Sequence, residues 1–326
     1  MVNREKRYKS LNDFLKKYFG EKVYRVSVDG GFTCPVRDGT KGWRGCIFCN
    51  IKSFTPPYSE RWKSVKEQIL QGIEIVRKTR KAKKYMVYFQ PYTNTYGEVE
   101  KLRKLYYEAL ESHQDIVGLF IGTRPDCLPQ DVLDLLEEIN EKTFLVVELG
   151  LQTANDRTLE IIKRGHTVED FIKATQELHK RKIKVLVHVI IGLPGDTRED
   201  YINTAKLLSE LGVFAVKIHP LHVVKFTELE IWYKEGKYTP LTLDEYANYA
   251  VEFLEYLDDS IYIARLTGEA PDKLLVAPEW CKNKFKVLEK IEEILEEKNT
   301  YQGAKWKIEL KKSERFAFLA NSSSTS

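Results

Sequence analysis

Cysteine is scarce in this chain, with five among 326 residues, and only one C-x-x-C pair occurs, Cys46 and Cys49. A closed structural zinc site usually takes four protein ligands from two such pairs, so the pattern does not complete one by itself. On counting alone, a fourth ligand from Cys127, Cys281 or His166 stays open, as does a disulfide. Long apolar runs are also missing. No stretch approaches the length that crosses a bilayer, and the opening MVNREKRYKSLNDF lacks the apolar segment of a signal peptide. These absences predict a cytoplasmic chain with no membrane partner, in a compartment that keeps thiols reduced.

What is present centres on DGGFTCPVRDGTKGWRGCIFC. Eleven residues separate Cys34 from Cys46, two separate Cys46 from Cys49, and Phe48 precedes the last cysteine. Three thiolates can each hold one iron of a four-iron cluster, leaving the fourth iron open to a small molecule. Gly30, Gly31, Gly39, Gly42 and Gly45 let the surrounding backbone wrap closely around a bulky core.

Apolar residues make up 43% of the chain, enough for one large domain with an appendage. The net charge of +4 is unevenly spread: residues 1–84 hold 21 Lys and Arg against 8 Asp and Glu. That basic end suits a polyanion such as a nucleic acid, although a single basic cluster is more often a solvated helix face. Apolar, β-branched runs at 23–28, 85–89, 117–122, 144–151, 184–191, 214–219 and 261–266 predict strands. Ser64 with Glu67, Thr167 with Asp170, and Thr197 with Asp200 mark helix starts between them. Near-continuous hydrophobic strands separated by helices predict an α/β fold with a parallel sheet. Polar residues gather at the strand ends: Gln90 and Tyr92; Thr123, Arg124 and Asp126; Glu148 and Gln152; His188; His219; Arg265. A site fed by every strand end fits a full or partial barrel.

These segments carry a family resemblance. The cysteine loop, ELGLQT and HVIIGLPGDT resemble the radical S-adenosylmethionine (SAM) superfamily. DGGFTCPVRDG, IGTRPDCLP, ELGLQTANDRTL, KRGHT and GLPGDT resemble its YhcC-like branch, which is similar to the radical SAM domain of the elongator catalytic subunit. The likeness runs from about residue 20 to about 305. It implies a partial (β/α)6 barrel of the TIM-like, radical SAM type over 1–268, including the basic N-terminal helix. A short helical extension packed on the barrel is expected over 269–307, and a disordered tail over 308–326.

The resemblance also implies roles. Cys34, Cys46 and Cys49 would bind a [4Fe-4S] cluster whose open iron is chelated by SAM, and one electron would cleave SAM to a 5′-deoxyadenosyl radical. Phe48 would pack beside the adenine, and Glu148, costly to bury without partners, would face SAM with Gln152, Thr123 and His188. Arg164 in KRGHT would meet the SAM carboxylate through a bidentate contact. Gly192 and Pro194 in the GLPG turn would let backbone approach the adenine. Gln90 replaces the glycine-rich motif that receives the methionine amine in many relatives. Arg124, Asp126, His219, Arg265 and Tyr92 are left for substrate, Arg124 and Asp126 equally able to hold each other. The branch likeness and the basic end converge on tRNA, at the C5 side chain of a wobble uridine, from carboxymethylaminomethyl toward aminomethyl. A reductant such as flavodoxin or ferredoxin would supply the electron. A tetrapyrrole or other small metabolite as substrate, and a non-enzymatic metal-stabilised RNA-binding protein, are the rival readings.

Overall fold

A computed structural model describes residues 6–310. In chain order the elements are α1 (Leu11–Phe19), β1 (Val23–Val28), α2 (Val65–Arg80), β2 (Lys84–Phe89), α3 (Val99–Glu111), β3 (Ile116–Thr123), α4 (Gln130–Lys142) and β4 (Phe144–Gln152). Then come α5 (Asp156–Ile161), α6 (Val168–Lys180), β5 (Lys184–Ile191), α7 (Arg198–Leu211), β6 (Ala215–Pro220), β7 (Val223–Val224), α8 (Glu228–Lys234), α9 (Leu243–Tyr256), β8 (Tyr262–Arg265), β9 (Leu275–Ala277) and α10 (Lys284–Glu297). Seven strands form one parallel sheet in the order β1-β2-β3-β4-β5-β6-β8. All seven predicted strands are found, and β8 adds a seventh to the six that the family resemblance implies.

Side chains alternate between the two faces of each strand, and the two faces differ. Outward residues such as Val26, Val87, Leu119, Val147, Val187 and Val216 pack into one large core beneath the helices. Inward residues near the strand starts, including Met86, Phe120, Val146, Leu186 and Ala215, form a second apolar layer with Leu11 and Leu15 of α1. Phe14 of α1 sits among the rings of Phe144, Phe214 and Tyr262. The N-terminal helix thus closes the bottom of the half-barrel, touching both edge strands, β1 and β8, and a parallel bridge from Ser10 to Ile263 extends the contact. Higher up the same inward faces the residues turn polar, which puts the reactive side chains at the C-terminal ends of the strands.

The helix starts form where the sequence places them. Glu67 and Asp170 each complete a reciprocal capping box, with Ser64 and Thr167, and Asp200 accepts from both the backbone N–H and the hydroxyl of Thr197. Beyond residue 268, β9 pairs with β7 in an antiparallel ribbon and α10 packs on α9. Residues 306–310 are helical, and the rest of the predicted tail, 311–326, lies outside the described residues.

Candidate active site

A cavity of 470 Å³ opens at the C-terminal ends of the strands, and all three loop cysteines line it. Cys34 and Cys46 are buried and Cys49 partly so. Short turns fix the loop: Arg37 N–H donates to Cys34 O, Gly45 N–H to Val36 O, and Cys49 N–H to Cys46 O. Gly45 has φ +78°, and its missing side chain leaves space for the Arg37 guanidinium. That guanidinium donates to Cys49 O at 2.6 Å and is drawn toward charge by all three thiols despite its burial. Arg164 Nη1 lies 3.7 Å from Cys46 Sγ, and Arg124 lines the same cavity.

Among the described residues, no three His, Cys, Asp or Glu side chains are arranged around a single metal ion. None of Cys127, Cys281 and His166, the open candidates for a fourth zinc ligand, lines the cavity. Three thiols facing one space, with three guanidiniums to balance thiolate charge, fit an iron–sulfur cluster. Arg124 Nη1 and Gln152 Oε1 are buried without a protein partner, and both residues line the cavity, so polar capacity is left for an organic ligand. Gln152 and Tyr92 both hold left-handed backbone, at φ +80° and +65°, a strain that concentrates where ligands are held.

Deeper in the barrel, Glu148 is 1% exposed and densely partnered. Lys217 Nζ donates to its carboxylate at 2.7 Å, Tyr88 OH at 2.5 Å and Arg25 Nη1 at 3.2 Å, and His188 Nε2 lies at 2.6 Å. Cross-strand register places His188 beside Lys217 and Gly150 beside His188. Burial opposes the charge on Glu148, yet Lys217 and His188 hold its carboxyl well below the usual carboxylate range. Burial, then the Lys217 charge, push His188 down to about 4, so it is a neutral ring at neutral pH. Burial also lowers Lys217 against the pull of Glu148.

The cavity gathers Phe48, Gln90, Tyr92, Thr123, Arg124, Glu148, Gln152, Arg164, His188, His219 and Arg265 from the sequence-predicted set. Four expectations need correction. Asp126 does not line the cavity: it holds Arg124 in a bidentate pair, 2.9 Å on each arm, and accepts from Lys41 at 2.6 Å. Arg164 has no free Nε–Nη2 fork, because both atoms donate to Gly150 O, at 3.3 and 2.8 Å. Gly192 and Pro194 also lie off the cavity. Tyr201 OH takes the Gly192 N–H and Tyr238 OH donates to its carbonyl, closing the turn under Leu241. Sequence reasoning missed Lys217, Arg25, Tyr88, Arg37 and His222. A lysine at the centre of the apolar run AVKIH carried the same signal as Glu148 in FLVVELGL. Burial pushes the remaining thiols, Cys127 and Cys281, up to about 12, which makes them packing groups.

A parallel half-barrel with a three-cysteine loop after its first strand and a polar cavity at its strand ends defines a radical SAM enzyme. The Radical SAM superfamily profile matches residues 39–208 and the Radical_SAM C-terminal domain residues 213–297; the chain belongs to that superfamily, whose members bind a [4Fe-4S] cluster and SAM. Within it the chain falls in the YhcC/YtqA family. It is 40% identical to YtqA of Bacillus subtilis over 92% of this chain and 93% of that protein, and 39% identical to YhcC of Escherichia coli over 87% and 90%. A tRNA uridine(34) acetyltransferase of Methanocaldococcus jannaschii is 40% identical over 146 residues, 43% of this chain and 25% of that one. The solved structure of Methanocaldococcus infernus Elp3 shares the fold, with TM-score 0.66 and 22% identity over 86% of this chain and 64% of that one. No helix among the described residues is long and apolar enough to cross a membrane.

Proposed function

We propose that this radical SAM enzyme modifies tRNA at the C5 side chain of a wobble uridine, converting carboxymethylaminomethyl toward aminomethyl. The observation that carries the reading is the 40% identity to a tRNA uridine(34) acetyltransferase over 146 residues. The cavity mouth adds support. Phe54 lines it and is 37% exposed, and Phe226, 85% exposed, follows Lys225, whose carbonyl accepts from Asn50 on the cysteine side. Exposed rings beside a basic chain half suit stacking on unpaired bases.

When bound, the cluster and SAM supply one-electron cleavage of SAM and hydrogen abstraction from an unactivated C–H bond. The protein's own residues do the rest. Cys34, Cys46 and Cys49 would hold the cluster, with Arg37, Arg124 and Arg164 offsetting its negative charge. Phe48 would wall the adenine, and Gln152 and Gln90 would offer amide groups to SAM. Glu148, held by Lys217, His188, Tyr88 and Arg25, fixes the barrel floor under the reacting groups.

Cluster-reconstituted protein incubated with SAM, a flavodoxin or ferredoxin reductant system and tRNA bearing carboxymethylaminomethyluridine should shift the nucleoside profile toward aminomethyluridine by mass spectrometry. Cys46→Ala should abolish both SAM cleavage and the shift while leaving the circular dichroism of the barrel unchanged. An unchanged nucleoside profile alongside active SAM cleavage by the native protein refutes the substrate.

A further inference from the structure

On the β6–β8 side of the cavity, three side chains converge on a residue that has none. A Cβ built on Gly268 would lie 3.1 Å from His219 Cβ, 3.2 Å from His222 Cε1 and 3.5 Å from Arg265 Nη2. The His219 and His222 ring centroids are 6.3 Å apart, and all four residues line the cavity. His219 Nδ1 is satisfied by Pro220 O at 3.2 Å, which fixes the ring and leaves Nε2 as its remaining polar atom. His222 Nε2 is buried with no hydrogen-bond partner. The Arg265 side chain forms no hydrogen bond or ion pair with any described residue.

The carboxylates within reach are already engaged. Glu269 pairs with Lys284 at 3.1 Å, and Glu148 is surrounded by Lys217, Arg25 and His188. This wall therefore carries surplus positive charge and an orphan imidazole. Burial and the Arg265 charge hold His219 well below the ordinary histidine range and push His222 down to about 4; an anion between them would reverse both shifts.

We propose that Arg265, His222 and His219 form a carboxylate subsite around Gly268, which holds the anionic end of the substrate's side chain while its neighbouring carbon faces the cofactor end of the cavity. A flat guanidinium beside an imidazole N–H matches the two oxygens of a carboxylate. A backbone phosphate offers the same charge, and Arg265 is exposed at the cavity's edge while both histidines are half-buried, so acetate and phosphate are compared directly. The identity of the carboxylate rests on the tRNA reading above; the anion subsite itself does not.

Two measurements separate them. Histidine-labelled, cluster-loaded protein is titrated with acetate, and in parallel with inorganic phosphate, and followed by NMR. The His219 and His222 signals should move saturably with acetate, and both Arg265→Gln and Gly268→Val should weaken that response about tenfold or more. Unmoved histidine signals, or equal acetate affinity in native protein and both variants, overturn the subsite; a tighter response to phosphate overturns its preference for carboxylate. Anticodon hairpins carrying carboxymethylaminomethyluridine or aminomethyluridine are then compared. Native protein should favour the first about tenfold, and Arg265→Gln should equalise the two. Equal affinity in the native protein overturns the carboxylate assignment. Binding of neither hairpin, with the acetate response intact, refutes the tRNA reading and leaves the subsite standing.

Discussion

Replacing Lys217 by methionine removes the ammonium 2.7 Å from the Glu148 carboxylate while keeping an unbranched apolar stem across the barrel. Glu148, 1% exposed, retains Arg25 at 3.2 Å, Tyr88 at 2.5 Å and His188 at 2.6 Å. Losing one partner of a buried ion pair costs about 3–5 kcal/mol, and the remaining Arg25 reduces that to roughly 2–3 kcal/mol, a fall of about 3–4 °C in Tm for a chain of this size. The pH dependence is the sharper test. In the native protein His188 is held down at about 4, against an ordinary value of 6.5. The unfolded chain therefore takes up this proton first, and stability is lost as pH falls from 6.5 toward 4. Without Lys217, the adjacent Glu148 carboxylate favours imidazolium, the folded pKa rises, and protonated His188 replaces the missing charge. The variant's deficit should shrink as pH falls from about 7 to about 5.5. Thermal unfolding of cluster-loaded protein, followed anaerobically by circular dichroism, measures both effects. The double variant Glu148→Gln/Lys217→Met should recover part of the loss, because no buried carboxylate is left without its ammonium, although Arg25 then loses its carboxylate partner. A Tm at pH 7 within about 1 °C of native, or a deficit constant with pH, would show that Glu148 does not depend on Lys217.

Two further substitutions test the frame and its rim. A Cβ at Gly118 would collide with the Phe144 carbonyl across the β3–β4 pairing, so Gly118→Ala should lower the urea midpoint or prevent soluble folding, and a midpoint equal to native contradicts the register. Burial raises Asp196 to about 7, and its Oδ2 has no partner. Because the folded value lies above the unfolded one, the charge weighs against folding progressively as pH rises toward 7. Asp196→Asn should therefore be more stable than native above neutrality, with the gain fading toward about pH 4, and a gain independent of pH would count against the burial cost.

How far the sequence could be read follows from what each signal depends on. Two-faced burial of parallel strands leaves continuous apolar runs, so FLVVELGL and KVLVHVII announce β4 and β5, and Glu148 and His188 stand out within them. Lys217 and Arg25 were passed over because a lone cation within a short strand ordinarily turns to solvent, and only the curl of the sheet turns both inward onto Glu148. Asp126 was misplaced for a related reason. GTRPD puts Arg124 and Asp126 two residues apart, and local sequence does not say that Arg124 faces the cavity while Asp126 stays off it, held by both Arg124 and Lys41. The GLPG turn is glycine-rich because Gly192 needs φ +100° beneath Leu241, a packing demand that resembles a ligand-binding loop in sequence. The basic N-terminal segment carries lysines on one face of α1, but its apolar face is what the fold uses.

That helix also sets an order of events during synthesis. Its seat is made by strands from both ends of the sheet, and Lys9 O accepts the Ile263 N–H at 2.6 Å while Gln302 bridges Lys9, Ile261 and Asp258. The helix leaves the ribosome ahead of β8 and therefore cannot complete its seat until residues some 250 to 290 positions later have emerged. Phe144 and Phe214 both pack against Phe14 of that helix, so their cover is complete only when it is seated. Nascent chains truncated before β8 are thus the forms most exposed to chaperones, and the cysteine loop above them is complete long before the barrel beneath it is sealed.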